Sequence, residues 1–323
     1  MDASSPAKDI EDTEDTVSTV TDMPPLPGAP EGAPEDRGLT PKQLADKYAL
    51  AVSGRRPGLV TYVKQLWRRR QFIVSFATAK LTAQYTTAKM GQLWQVLTPL
   101  LNILVYYFVF GVLLGTKRNI PDFIQYLSIG VFIFTFTQQA VLQGTRSISS
   151  NLGLIRALHF PRACMPISTT VQQLQQLLFS LVVMIAIVLV VQPPTLTWLL
   201  LIPALVLQFV FNTGLSLIVA RLGAKVTDMA QLVPFILRTW MYTSGVMWSL
   251  TVVSHGKPEW VKILLAVNPA AVYIDLARYS LLDSFHANQL PHHVWLLAVA
   301  WAVVVGIGGF IYFWRAEEEY GRG

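Results

Sequence analysis

Apolar positions fill this chain in long uninterrupted runs, and polar positions collect between them. Leu93 to Gly115 holds no charge for 23 residues, and at about 1.5 Å of rise per residue a helix of that length crosses a hydrocarbon layer of about 30 Å. Phe123 to Thr145 repeats the pattern. From Ala163 to Ala220 there is no Asp, Glu, Lys, Arg or His for 58 residues, about twice what one span needs. Gln192, Pro193 and Pro194 must divide that run, because two prolines cannot continue a helix. The pattern predicts an all-α, polytopic membrane protein with six spans, placed at 93–115, 123–145, 166–191, 196–220, 231–253 and 294–314.

Other segments are apolar only in part. Leu59 to Met90 mixes Trp67, Phe72, Ile73, Phe76 and Leu81 with Lys64, Arg68, Arg69, Arg70, Lys80 and Lys89. That is too much charge for a span, so an amphipathic helix on the membrane interface is expected. Trp260 to Val267 and Ala270 to Leu282 are too short to cross and are interrupted at Asn268-Pro269, which predicts short re-entrant helices on the outer side. Thr40 and Pro41 suit the start of a further short helix, stopped by Gly54 to Gly58. Upstream, a proline-rich stretch (Pro24, Pro25, Pro27, Pro30, Pro34) with many acids and without apolar periodicity cannot offset the entropy of ordering, and a disordered cytoplasmic tail is expected. The tail lacks the basic start and short apolar core of a signal peptide, so a later helix is expected to direct insertion. Three regions result: the tail at 1–39, cytoplasmic and interfacial helices at 40–91, and the span domain at 92–323.

Charge orients this arrangement. Residues 1 to 54 carry eleven acids against four bases, a net −7, and the remainder is net +13. The bases sit at the ends of apolar runs rather than on a solvated face, which argues for a membrane and against nucleic acid. With the N-terminus inside, the inner segments hold thirteen Lys and Arg and the outer ones five, Lys117, Arg118, Lys257, Lys262 and Arg278. Both termini are therefore expected in the cytoplasm and the chain in the inner (plasma) membrane. Charged residues make up only 14% of the composition, well below soluble domains. The single cysteine, Cys164, excludes an internal disulfide or a paired-cysteine metal site.

Candidate chemistry is sparse. No phosphate-cradling glycine loop, metalloprotease or nucleophile-elbow motif occurs, and no carboxylate lies mid-span, so the chain is read as a non-enzyme that binds no cofactor or metal of its own. Arg238 is the ionised side chain within a span, either facing a channel to meet substrate phosphates or snorkelling to lipid phosphates. Tyr106, Tyr107, Phe108 and Phe110 in the first span, and Trp240, Tyr242 and Trp248 in the fifth, suit either a path along sugar rings or an interfacial aromatic belt. Gln172, Gln173, Gln175 and Gln176 suit interhelical hydrogen bonds or the lining of a wet path.

Four stretches, in order, resemble the permease subunits of type-2 ABC exporters, in the branch exporting lipid-linked polysaccharides and teichoic acids. They are Gln84-Tyr85 with Met90-Gly91-Gln92-Leu93-Trp94, Thr98-Pro99-Leu100 and Val109-Phe110-Gly111; Asn151, Leu154-Ile155-Arg156 and Phe160-Pro161-Arg162 with Pro166; Lys225 to Asp228 with Val233-Pro234-Phe235 and Ser244-Gly245-Val246; and Asn268-Pro269 with Ile274, Asp275, Arg278 and Leu281. The resemblance implies a homodimer with separate ATP-binding subunits that carry the ATP and magnesium. It assigns Arg156, His159, Phe160, Pro161, Arg162, Lys225 and Asp228 to ATPase coupling. The aromatic and cationic side chains Tyr106, Tyr107, Phe110, Arg238, Trp240 and Tyr242 are the candidate substrate path, and Arg68, Arg69, Arg70, Lys80 and Trp94 the candidate interface-helix and lipid head-group residues. Asn268, Pro269 and Arg278 fall to the outer gate. Within the branch the acidic, proline-rich tail looks most like actinobacterial exporters of lipid-linked galactan. The alternative is a drug or small-lipid exporter of the same superfamily.

Overall fold

The computed structural model describes residues 58–86, 93–118, 120–158, 160–226, 228–249, 256–291 and 293–317, together with Gln43 and Lys47. Every element named below lies within residues 55–323, which form one compact unit. The expected acidic tail lies outside the described residues, as does the expected helix at 40–59 except for Gln43, Lys47 and its last two residues.

The described residues are helical, with no strand among them. In chain order the elements are α1 (Leu59–Arg68), α2 (Arg70–Thr86), α3 (Leu93–Tyr106), α4 (Phe123–Arg146), α5 (Leu152–Ala157), α6 (Cys164–Leu189), α7 (Leu201–Lys225), α8 (Met229–Thr243), α9 (Glu259–Val267), α10 (Pro269–Leu281) and α11 (Val294–Arg315). Among the described residues, four helices are long and apolar enough to cross a bilayer: Phe123–Arg146, Cys164–Leu189, Leu196–Lys225 and Val294–Arg315. These match four of the six expected spans. At the first expected span, α3 contains Pro99 and runs into a π-helical stretch, Tyr107–Leu113. At the fifth, the helix has 15 residues and ends at Thr243 instead of reaching residue 253. A helix of that length rises only about 22 Å. Helices α9 and α10 meet at a bend of 71°, a geometry shared by a broken span and a re-entrant loop.

α4 forms the middle of the bundle. Leu127, Ile129, Phe132, Ile133, Phe134 and Phe136 are buried along it, and α3, α6, α7, α8 and α10 pack around it. Its residues from Gln125 to Phe134 are buried without a gap, so every face of this stretch is enclosed by other helices. Gln208 on α7 donates to the carbonyl of Ile133 at 2.9 Å and to Thr137 Oγ1 at 3.0 Å. Such bonds between spans contribute about 0.6 kcal/mol each. α11 closes the bundle by lying on α7, where Gly214 faces Gly309 and the Val305 carbonyl so closely that a β-carbon at Gly214 would overlap the α11 backbone. Small residues at the crossing bring two backbones into van der Waals contact, the main attraction available where lipid is as apolar as leucine.

The expected interface helix is two helices, breaking at Arg69. On α2, Ile73, Ala77 and Leu81 recur at four-residue spacing and are buried against the start of α6. Two of the four glutamines bind here: Gln172 donates to Gln84 Oε1 at 3.3 Å and Gln175 to Thr78 Oγ1 at 2.9 Å. They join helix to helix, as the first of the two readings expected.

Candidate functional site

At the bundle end expected to face the cytoplasm, the chain between α4 and α6 makes a short protrusion. α5 is a two-turn helix whose Gly153, Arg156 and Ala157 are exposed, followed by Leu158 at 49% exposure. Its one buried residue, Ile155, joins a small apolar cluster with Tyr62, Ile73, Cys164, Leu217 and Phe313. Phe160 turns inward, its ring 5.3 Å from that of Phe72, which stacks on Phe76. Pro161 is buried. Of the residues assigned to ATPase coupling, Arg156, Lys225 and Asp228 face solvent, whereas Phe160 fastens the protrusion to α2. His159 lies outside the described residues.

Below the protrusion is a carboxylate to which sequence reasoning gave no part. Glu317, just past α11, is buried, and Tyr62 of α1 donates its hydroxyl to Oε2 at 2.7 Å. The backbone N–H of Arg162 donates to Oε1 at 2.8 Å, and the Arg162 guanidinium donates to the Glu317 carbonyl oxygen. The Ala163 N–H donates to the Tyr62 oxygen at 3.2 Å. Burial pushes the Glu317 carboxyl above its usual range, partly offset by the bonds from Arg162 and Tyr62. Burial, then the Glu317 charge, pushes the Tyr62 phenol well up. The signal available in the sequence was weak: Glu317 opens a run of three acids that reads as a solvated tail.

The residues assigned to the substrate path divide between two faces. On α8, Gln231, Phe235, Arg238 and Tyr242 follow one another at helical spacing and are exposed, Phe235 at 69%. Trp240 points the other way, its ring meeting Phe134 edge-on at 6.1 Å and its Nε1 donating to Asn268 Oδ1 at 2.8 Å. From α3, Tyr106 reaches Met241 Sδ at 3.8 Å, while Tyr107 packs on Phe123 and Phe110 on the main core. Leu101, Leu104, Val105 and Phe108 on α3 and its continuation are exposed. The structure thus brings Arg238 and Tyr242 together on an outward face and takes Trp240, Tyr107 and Phe110 into the packing.

Among the head-group residues, Arg68, Arg69 and Arg70 are exposed, with the Arg70 guanidinium 5.5 Å from the Trp67 ring centre. Lys80 lies 4.9 Å from the Phe76 ring centre, and Trp94 is exposed. A cation over an aromatic face, beside exposed Trp67 and Trp94, is chemistry suited to the lipid head-group layer.

At the opposite end, Asn268 and Arg278 hold the bent pair to the bundle. Asn268 caps α10 through the Ala270 N–H, accepts from Trp240, and donates to the Thr243 carbonyl at 3.1 Å and to Ser244 Oγ at 3.3 Å. Pro269 follows at the first helical position, where a missing N–H costs nothing. Arg278 is 0% exposed. It pairs with Asp275 at 3.2 Å, donates to the carbonyls of Tyr126 and Val246, and lies 3.4 Å from the Tyr126 ring centre. Gly130 makes room for it, since a β-carbon there would sit 2.7 Å from Arg278 Nη2. A residue counted as an outer-loop cation in the sequence is a buried lock between α10, α4 and the chain after α8.

An apolar bundle with a solvent-facing handle at one end and a cation-bearing aromatic stripe along one side is the build of a membrane transport subunit. The chain belongs to the ABC-2 type transporter family, whose model matches residues 71–282. Permeases of this family are transport subunits, not catalytic enzymes, and work with a separate ATP-binding subunit. The chain is 28% identical over 254 residues to the O-antigen export system permease protein RfbA of Myxococcus xanthus, covering 76% of this chain and 92% of that one. It is 26% identical over 204 residues to the protein of the same name from Klebsiella pneumoniae, covering 62% and 76%. To the polysialic acid transport protein KpsM of Escherichia coli it is 24% identical over 255 residues, covering 74% and 91%.

Proposed function

We propose that this chain is the permease of an exporter that moves a lipid-linked polysaccharide from the cytoplasmic to the outer side of the inner membrane, with a lipid-linked galactan as the cargo. The reading rests above all on its similarity, across about three quarters of its length, to proteins named for O-antigen export and for polysialic acid transport. Both termini are cytoplasmic, and two copies pair through the exposed faces of α3 and α8. The pyrophosphate head group approaches Arg68, Arg69 and Arg70, whose exposed guanidinium groups suit bidentate phosphate binding. The glycan then passes the stripe of Phe235, Arg238 and Tyr242, where flat rings allow a polymer to slide without a fixed register. ATP and magnesium act on the partner subunit, which seats on α5 through Arg156 and on the α7–α8 turn through Lys225 and Asp228.

The test is transport by the chain reconstituted with its ATP-binding subunit in vesicles. Polyprenyl-pyrophosphate galactan, an O-antigen-type glycan on the same lipid, and a lipophilic dye are offered separately. ATP-dependent movement of galactan in preference to both others is the expected result. Movement of the O-antigen-type glycan alone refutes the galactan assignment, and movement of the dye alone refutes polysaccharide export.

A further inference from the structure

We infer that Glu317 is a positioning residue that latches the coupling protrusion, the interface helix α1 and the foot of α11 into one body, so that a push on α5 also moves the helix that receives the lipid head group. The inference rests on the export reading above, because it assigns α5 to the ATPase and α1 to the head group.

The geometry makes Glu317 a hub. Its two carboxylate oxygens serve different elements: Oε1 takes the Arg162 N–H that leads into α6, and Oε2 takes the Tyr62 hydroxyl from α1. Tyr62 in turn accepts from the Ala163 N–H, so carboxylate, phenol and two successive backbone amides close a ring. The Arg162 side chain returns to the Glu317 carbonyl and secures the residue itself. Tyr62 and Glu317 are 255 positions apart, and the contact joins the interfacial helices to the chain just past the last helix of the span domain. Around the ring, Ile155, Ala163, Cys164, Phe313 and Ala316 are buried, which shields the Tyr62–Glu317 and Ala163–Tyr62 bonds from water, while the bonds from Arg162 are half-buried. A polar group shielded in this way costs much when unpaired and therefore holds its partners firmly.

A second feature separates this role from ordinary packing. The protrusion already has an apolar attachment to α2, through Phe160 on Phe72. Packed rings can slide; a carboxylate that satisfies two donors with fixed directions cannot. The polar ring is what makes α1 follow Arg162 in register, while the rings supply adhesion.

Substituting Glu317→Gln keeps the shape, removes the charge and replaces one of the two acceptor oxygens by an NH2 donor, so the Arg162 N–H and the Tyr62 hydroxyl can no longer both be accepted. Burial raises the carboxyl's proton affinity in the folded protein. The favourable contribution of the neutral form is therefore present at low pH and lost as pH rises through the raised value. A permanently neutral amide avoids that loss, so the variant is expected to fold and assemble. Tyr62→Phe removes the same bond from the other side.

The measurement uses the full complex with the ATP-binding subunit. Glycan moved per ATP hydrolysed should fall at least about fivefold in Glu317→Gln and in Tyr62→Phe, with assembly and ATP turnover retained, and the double variant should be no worse than the worse single. A merely structural residue would lower assembly, turnover and export together and leave their ratio unchanged, and that result overturns the inference. A second measurement needs no cargo. Spin labels at Lys64→Cys on α1 and Ala157→Cys on α5 should keep one distance between nucleotide-free and nucleotide-trapped wild-type complex, and the distance should broaden in Glu317→Gln. A wild-type distance that changes between the two states overturns the latch whatever the cargo. Failure of the wild-type complex to move any glycan overturns the export reading and leaves the distance test to decide the latch.

Discussion

Replacing Arg278 by Met keeps the length of the side chain and takes away everything else that it does. In the folded protein the guanidinium is 0% exposed, faces Asp275 at 3.2 Å and supplies the Val246 carbonyl at 3.0 Å. Removing one member of a buried ion pair leaves the other uncompensated, at a cost of about 3–5 kcal/mol. The Val246 carbonyl, left without that donor, adds about 1–3 kcal/mol. The sum, about 4–8 kcal/mol, corresponds to a fall in unfolding temperature of roughly 6–12 °C for a chain of this size. The assay is thermal unfolding in lipid nanodiscs of wild type, Arg278→Met, Asp275→Asn and the double variant. If the unmatched carboxylate dominates, Arg278→Met with Asp275→Asn recovers about half of the single loss, because removing both charges leaves none buried alone. A double variant no more stable than Arg278→Met refutes this reasoning and assigns the loss to the carbonyls and the Tyr126 ring.

Other substitutions test the remaining joints. Gly214→Ala is expected to cost about 1–3 kcal/mol and to lower the yield of folded protein, because the new carbon meets the α11 backbone. Gly308→Ala, with open space around it, should be neutral or stabilise by a few tenths to about 1 kcal/mol; equal effects at the two glycines in a stability screen would contradict the crossing. Asn268→Ala removes a helix cap worth about 1 kcal/mol and strands the Trp240 indole N–H at a further cost of about 1–3 kcal/mol. A blue shift or broadening of tryptophan emission should accompany the loss, and Asn268→Asp, which keeps the acceptor, should fall between.

The span at Phe123–Arg146 was legible from its run of apolar residues, and so were those at Cys164–Leu189, Leu196–Lys225 and Val294–Arg315, since hydrophobic length acts locally. Gln192-Pro193-Pro194 marked the break between two of them, and the helix indeed ends at Leu189. The shorter fifth helix was not legible: residues 244–249 are as apolar as those before them, and the turn after Thr243 is set by Asn268 and Arg278 reaching the Thr243 and Val246 carbonyls. The candidate path was half legible. Aromatic composition selected Trp240 and Tyr242 alike, but on a helix they face nearly opposite directions, and only packing against Phe134 decides which is inward.

What the residues decided alone is the solvent this chain needs, because the cost of placing charge in hydrocarbon is paid residue by residue and shows in the spacing of charges. It likewise marked a basic, partly apolar segment ahead of the first span. What the tertiary structure decided is every joint between those pieces: Glu317 with Tyr62 and Arg162, Arg278 with Asp275 and Tyr126, Gly214 against the α11 backbone. Each depends on two or three side chains far apart in the chain meeting at hydrogen-bond distance, and a pattern of neighbours along one strand of sequence carries no information about such meetings.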